Sequence, residues 1–251
     1  MVTGPTLGIV ANRLLGRRTG VGRYLANLLR QWGRQHAPFA QVLVFTPRPV
    51  PLPAGLQNCV LPFAGSAFLW EHLLLPSRLP AVDLLFCPAY TIPLGFRGRA
   101  ALTIHDAIQA ALPEEFPCWY RYRYGLLYRW SARRAQVVLA DSAATATDIQ
   151  QYYGVPRARV RVVPLGVDPV FRPVDPQPVL RQLGLDDRPY LLFVGKLTRH
   201  RNIPGLCAAF AAAAEKEYRL VLAGENSAQL DLVAIAWWLG LGDRLRHLTF
   251  P

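Results

Sequence analysis

Residues 135–154 read AQVVLADSAATATDIQQYYG and contain one complete strand-to-helix unit. The apolar run 136–140 predicts a buried strand, and Ser142 is a typical N-cap for the helix that follows. We expect that helix to end at Tyr153, because Gly154 is a common residue just past a helix C-terminus. Strands joined by helices are parallel, and helices then cover both faces of the sheet. The stretch therefore predicts an α/β fold.

The same alternation extends in both directions along the chain. Strands are predicted at 7–11, 41–46, 82–87, 100–104 and 160–163, and helices at 20–32, 67–79 and 116–134. Five prolines then fall within fifteen residues, which predicts a linker without a regular helix. Beyond it, strands are predicted at 190–194, 219–223 and 245–250, and helices at 203–216 and 228–239.

This pattern predicts two Rossmann-like domains of unequal completeness. The first is complete over residues 1–168, residues 169–185 form the proline-rich linker, and residues 186–251 form a partial second domain. Fewer than ~70 residues are marginal for a domain with its own core. We therefore expect an exposed apolar patch in the second domain, around Trp237, Trp238, Leu245 and Phe250.

Composition limits the classes of partner. The 251 residues are 52% hydrophobic, which excludes a wholly disordered chain. The net charge is +12, and 26 of the 28 basic residues are arginines. A basic surface favours nucleotides, nucleic acid or anionic lipid, and composition does not choose among them. No apolar run reaches the ~18 residues of a membrane span, and the four cysteines lack zinc-site spacing.

Three loops that follow predicted strands could carry chemistry. Glycines in the loop at 12–24 admit either a phosphate at a helix start or only a tight turn. His105 and Asp106 follow the strand at 100–104, where ligands bind in open parallel sheets, although such a histidine can also be held by a backbone carbonyl. Lys196, Arg199 and Arg201 crowd a loop before a helix, which favours either a diphosphate site or a solvated basic loop.

The segment 116–134 interleaves aromatic residues with arginines. This pattern is typical of a helix packed on a sheet, of a membrane headgroup zone or of a base-stacking surface, and we favour these readings in that order.

Taken in chain order, these motifs resemble the retaining glycosyltransferases of family 4, which have the two-domain GT-B fold. The resemblance is closest to mannosyltransferase-like members that build bacterial surface polysaccharides. The matching pieces are Thr19-Gly20-Val21-Gly22-Arg23-Tyr24, Trp70-Glu71-His72, Thr103-Ile104-His105-Asp106, Ser131-Ala132-Arg133-Arg134-Ala135, Asp141-Ser142, Val163-Pro164-Leu165-Gly166-Val167-Asp168 and Phe193-Val194-Gly195 leading to Arg201-Asn202.

The resemblance implies transfer of a sugar from a nucleotide-diphosphate sugar to an acceptor hydroxyl, with retention and without a metal or other cofactor. It places the donor diphosphate at Gly20, Val21, Gly22, Gly195, Lys196 and Arg201, and catalytic roles at His105 and Asp106. The family's basic pair is usually Arg then Lys, and here the two types are exchanged.

The resemblance also implies a location and partners. We expect a cytoplasmic enzyme with a glycan or lipid-linked acceptor, contacting the inner face of the membrane through the 116–134 helix and not binding nucleic acid. The family's Glu-x7-Glu segment would lie beyond Phe250, so we expect either a fragment of a longer enzyme or a truncated product with impaired or no activity. The rival hypothesis is a non-catalytic basic protein that binds a membrane surface, a partner or nucleic acid.

Overall fold

A computed structural model describes residues 4–16, 20–35, 38–185 and 188–249. The chain divides into two compact units after Asp168. The helices and strands of the first unit are β1 (Thr6–Val10), α1 (Gly20–Gln35), β2 (Gln41–Thr46), β3 (Gln57–Val60), α2 (Ala67–Leu69), α3 (Leu75–Arg78), β4 (Leu84–Cys87), β5 (Ala100–Ile104), α4 (Ile108–Ala111), α5 (Cys118–Arg134), β6 (Val137–Ala140), α6 (Ala143–Tyr153) and β7 (Val160–Val162). A wide helical turn, Trp70–Leu74, joins α2 to α3.

The described residues of the first unit form a seven-stranded parallel sheet in the order β3-β2-β1-β4-β5-β6-β7. The α/β class predicted from the sequence is confirmed. All five residues of β5 are buried, so apolar layers cover both faces of the sheet. One layer contains Trp70 and Ile149, and the other contains Leu25 and Leu29 from α1.

The strand order reverses beside β1, which has β2 on one side and β4 on the other. In register, Ile9 of β1 lies between Val44 and Phe86. Ligands in open α/β sheets bind outside the carboxyl ends of the strands at such a reversal. The fold therefore places the loops after β1 and β4 at the expected position of a binding crevice.

The second unit contains α7 (Gln177–Leu183), β8 (Tyr190–Val194), α8 (Ile203–Ala213), β9 (Arg219–Ala223), α9 (Leu232–Trp238) and β10 (Leu245–Leu248). In its described part, the strands form a parallel sheet in the order β10-β9-β8. Its core includes Leu197, Cys207, Phe210 and Leu222.

Apolar side chains remain exposed in this unit. Trp237 and Trp238 are 72% and 77% exposed, as expected from the sequence, whereas Leu245 is half-buried. Phe250, the fourth residue of the predicted patch, lies outside the described residues. Leu191, Leu192 and Val194 of the edge strand β8 are also exposed, which the sequence did not indicate.

Several boundaries differ from the sequence-based expectation. The prediction that the proline-rich stretch holds no helix is wrong at α7, because Pro178 occupies the first helical turn, where its missing N–H is harmless. The helix expected to begin at residue 228 begins at Leu232, because Asp231 accepts a hydrogen bond from the Ala234 N–H at 2.9 Å and caps it there. Strand β3 was not predicted, since it begins with two polar residues.

Candidate functional site

His105 lies just past β5, and contacts within the first unit fix its ring. Nε2 lies 2.9 Å from the Pro88 carbonyl oxygen, which can only accept, so Nε2 carries a proton. Nδ1 lies 2.7 Å from a carboxylate oxygen of Asp141. The rings of Tyr24 and Tyr90 approach the imidazole edge to face, with centroids at 5.0 and 5.7 Å. Both ring nitrogens are therefore engaged by the protein itself.

Asp106, the neighbouring candidate, also bonds to nearby protein groups. One carboxylate oxygen accepts from the Tyr90 hydroxyl at 2.9 Å, and the other accepts from the Ile108 N–H at 3.2 Å. Burial, and then the charge of Asp106, raise the pKa of Tyr90. Tyr90 has φ +62°, a backbone conformation that costs a non-glycine residue about 1–3 kcal/mol. The loop after β4 is thus strained and held by side chains of the site.

The glycine-rich loop leads into α1. Gly20 and Val21 open the helix, and Gly22 is buried within its first turn. A Cβ at Gly20 would meet no atom of the described residues within 4 Å. Tyr24, one turn further on, pairs its hydroxyl with that of Thr103 at 3.2 Å. Residues 17–19 of the predicted phosphate loop lie outside the described residues.

In the second unit, the loop after β8 brings together Gly195, Lys196 and Arg201. A Cβ at Gly195 would lie 2.8 Å from Nη1 of Arg201, so the guanidinium rests against bare backbone. Lys196 is exposed, with its ammonium 3.1 Å from a carboxylate oxygen of Glu225. Asn202 caps α8 by accepting from the Gly205 N–H at 3.2 Å. Two cations therefore lie beside the start of an eleven-residue helix, a place that favours anions.

Glu71 also lies in the site region. It belongs to the Trp70-Glu71-His72 motif, and no role was predicted for it from the sequence. Its carboxylate is buried, accepts from the Asn12 side-chain amide at 2.9 Å and accepts from the Thr91 hydroxyl. Burial raises the pKa of this carboxyl, and the two hydrogen bonds partly oppose that shift. A carboxylate within an otherwise apolar helical run was the available signal, but the sequence gives no information on its partners.

The described residues were compared with the requirements of a metal site and of a membrane span. No group of three His, Cys, Asp or Glu side chains among these residues is placed to share a metal ion. No helix in them combines the length and apolarity that crossing a membrane requires.

Several solved structures are similar to this chain, and two of them illustrate the likeness. Anabaena HepE in complex with UDP-glucose matches with a TM-score of 0.69 and 17% identity, over 98% of this chain and 69% of that chain. WaaG, described as a glycosyltransferase involved in lipopolysaccharide biosynthesis, matches with a TM-score of 0.65 and 15% identity, over 98% of this chain and 70% of that one. These likenesses show that the fold is of the GT-B type.

Sequence comparisons identify the family. Alpha-maltose-1-phosphate synthase from Mycolicibacterium smegmatis is 37% identical over 87 residues, a match spanning 32% of this chain and 22% of that relative. The chain thus matches less than a quarter of the length of this curated relative. The model of Glycosyltransferase Family 4 matches residues 18–171, more than half of the chain. On this match, the chain belongs to glycosyltransferase family 4.

Proposed function

We propose that the protein transfers a sugar from a nucleotide-diphosphate sugar to an acceptor hydroxyl, with retention and without a metal. The observation that carries this proposal is the loop after β8, where the Arg201 guanidinium, the Lys196 ammonium and the start of α8 surround Gly195. Membership of the family supports it. The complex of HepE with UDP-glucose favours a nucleotide sugar as donor.

In the proposed reaction, the bond from the sugar to the diphosphate breaks, and a bond from the same carbon to the acceptor oxygen forms. Lys196 and Arg201 stabilise the negative charge that develops on the departing diphosphate. The backbone at Gly20, Val21 and Gly22 donates to donor phosphates, and His105 and Asp106 lie beside the transferred sugar. The proton of the acceptor passes to an oxygen of the departing phosphate.

Mannose as the transferred sugar and surface polysaccharide or glycolipid as the product are finer parts of this proposal. They rest on the resemblance to mannosyltransferase-like family members. The similarity to WaaG supports an acceptor of the lipopolysaccharide type. We place the protein in the cytoplasm, at the inner face of the membrane.

Calorimetric titration with UDP and with GDP tests the donor site. The double variant Lys196→Ala/Arg201→Ala loses two charge-assisted contacts of about 1.5 kcal/mol each, so we expect roughly 100-fold weaker binding of the preferred nucleotide. Lys216→Ala/Arg181→Ala removes the same two charge types from exposed positions in the same unit and is the matched control. Equal affinity in both double variants contradicts the assignment. Tight binding of duplex DNA with steep salt dependence, and none of nucleotides, favours the nucleic-acid rival.

A membrane contact through the 116–134 helix is a further part of the proposal. Leu127, Tyr128, Ser131 and Ala132 of α5 are buried against the first unit, which supports the packing interpretation for that side. Another side is exposed and includes Trp119, Tyr122, Leu126 and Trp130. A cavity of about 330 Å³ beside it is lined by Phe68, Leu94, Arg123, Leu126, Leu127 and Trp130.

Aromatic side chains interleaved with arginines suit the headgroup zone of an anionic bilayer. Co-sedimentation with phosphatidylglycerol-containing vesicles tests this contact against vesicles of phosphatidylcholine alone. We expect Trp119→Ser/Tyr122→Ser to weaken binding to the anionic vesicles about tenfold. Trp237→Ser/Trp238→Ser removes two equally exposed aromatic residues from the second unit and should leave binding unchanged. Equal losses in both double variants contradict a contact through α5.

A further inference from the structure

The wide helical turn Trp70–Leu74 directs a carboxylate into the interior of the first unit. Trp70 anchors this turn, because it is buried and its indole N–H donates to the Leu61 carbonyl at 2.9 Å. Glu71 follows and is 6% exposed. Such wide turns are rare and are often found at functional sites. A buried carboxylate also carries a large desolvation cost, which a neutral side chain at this position would avoid.

The partners of Glu71 lie on two different loops. Asn12, which donates to one carboxylate oxygen, is the second residue after β1. Thr91, which donates to the other oxygen, is the fourth residue after β4. Strands β1 and β4 are adjacent and flank the reversal of strand order. One side chain therefore joins the two loops at the expected ligand crevice.

The loop after β4 is also tied to the His105 side of the site. Pro88 accepts from the His105 ring, and the Tyr90 N–H donates to the Thr103 carbonyl at 3.0 Å. Tyr90 itself has the left-handed backbone conformation, which persists only where surrounding contacts hold it. Thr91 is the next residue, so its bond to Glu71 holds the chain directly beside the strained residue.

We propose that Glu71 is a positioning residue, which ties the loop after β1 to the loop after β4 and so fixes Asn12, at the start of the glycine-rich loop, relative to His105. The consequence for sugar transfer rests on the proposed function. The connection between the two loops is independent of that function, and it can be measured without any substrate.

Hydrogen exchange on the full chain, resolved by peptide, measures the tie directly. In Glu71→Ala we expect the amides of 12–16 and 88–92 to exchange about tenfold faster, while those of β2 and β6 stay unchanged. Glu71→Gln should behave like the wild type, because its amide oxygen can accept from Asn12 and its NH₂ can donate to the Thr91 hydroxyl.

Asp83→Ala is the matched control, because that carboxylate accepts from the Thr6 N–H at 2.7 Å at the opposite end of the same sheet. It should loosen neither loop. Unchanged exchange in Glu71→Ala, or an equal acceleration throughout the first unit, overturns the proposal. If Glu71→Ala does not fold, Thr91→Val and Asn12→Ala decide the question. Each should loosen its own loop, and no loosening in either overturns the proposal.

Steady-state kinetics with a nucleotide sugar measures whether the loss of this connection also lowers turnover. We expect Glu71→Ala to lower kcat about tenfold at an unchanged melting temperature, and Glu71→Gln to restore it. Loss of turnover in Glu71→Gln with normal exchange would identify a proton-transfer role and overturn positioning. If the wild-type protein itself transfers no sugar, the proposed function fails, and the exchange data still decide whether Glu71 ties the loops.

Discussion

The two units carry their candidate ligand groups in opposite ways. In the first unit, His105, Asp106 and Glu71 are largely buried, and the protein supplies hydrogen-bond partners to each of them. In the second unit, Lys196 and Arg201 are exposed beside a bare glycine backbone. A seven-stranded sheet can bury polar groups at its carboxyl edge, whereas the three strands described in the second unit leave even apolar residues of β8 in solvent. The first unit thus holds its candidate groups by several protein contacts, whereas the second leaves its two cations in solvent, with Lys196 paired to the exposed Glu225.

The largest expected loss of stability comes from disrupting the close approach of the Gly224 backbone to the Gly195 backbone, next to the exposed cations. A Cβ at Gly224 would lie 2.0 Å from the Gly195 carbonyl oxygen, and Gly224 has φ +154°. We expect Gly224→Ala to destabilise the second unit by about 3–4 kcal/mol in thermal unfolding. Gly240→Ala, at φ +62° with no atom of the described residues within 4 Å, isolates the backbone cost and should lose about 1 kcal/mol. Equal losses in the two variants would show that the close approach to Gly195 is unimportant.

Hydrogen exchange in the unmodified chain tests the comparison itself. All of β5 is buried, whereas three of the five residues of β8 are exposed. We therefore expect amides of β8 to exchange roughly 100-fold faster than those of β5, a difference of about 2.8 kcal/mol in opening free energy. Equal protection of the two strands in a monomeric sample would mean that the second unit is as stable as the first.

A smaller expected effect is the pH dependence of stability that arises from His72, the buried imidazole next to Glu71. Burial, and then the charge of Arg123, lower the pKa of His72 to about 4. The unfolded chain binds this proton near pH 6.5, so the folded state loses stability as the pH falls below that value. The loss attributable to His72 is about 2 kcal/mol between pH 7 and pH 5.

The measurement is urea unfolding of the wild type and His72→Gln at pH 7 and pH 5. From pH 7 to pH 5, the free energy of unfolding should decrease less in the variant than in the wild type. The raised pKa of Glu71 acts in the opposite direction, because protonating a buried carboxyl favours the folded state. The difference between the two proteins therefore reports on His72 together with its 3.8 Å contact to the Glu71 carboxylate, and parallel losses would contradict the assignment.

Much of the fold could be predicted from sequence where a strand is a continuous apolar run. Strands β5, β8 and β9 were predicted with both ends correct, and Gly154 ends α6 as expected. Strand β3 was missed because its pairing with β2, rather than its own residues, makes it a strand. The wide turn at Trp70–Leu74 has no local signature that distinguishes it from an ordinary helix.

The sequence indicated which loops carry the candidate site, but not which side chains contact each other there. Because His105 follows β5, it was expected at the carboxyl edge of the sheet. In the structure, Asp141 and Pro88 contact its two ring nitrogens. Those partners are 36 and 17 residues away in sequence, and only the parallel register brings them together. The roles of His105, Asp106 and the phosphate-binding residues stay predictions.

The edge strand β8 has a consequence for solubility. Its sequence, YLLFV, is uncharged and rich in residues that favour cross-β stacking, and it lies at one edge of the sheet that the described residues form. Arg188 and Pro189 precede it and Lys196 follows closely, so charges and a proline flank the segment as aggregation gatekeepers. We therefore expect Lys196 to protect this strand from aggregation, apart from any contact with phosphate. Replacing it with a neutral residue removes the gatekeeper on one side, and a glutamate at Leu192, on the solvent side of the strand, would restore protection without touching the phosphate loop.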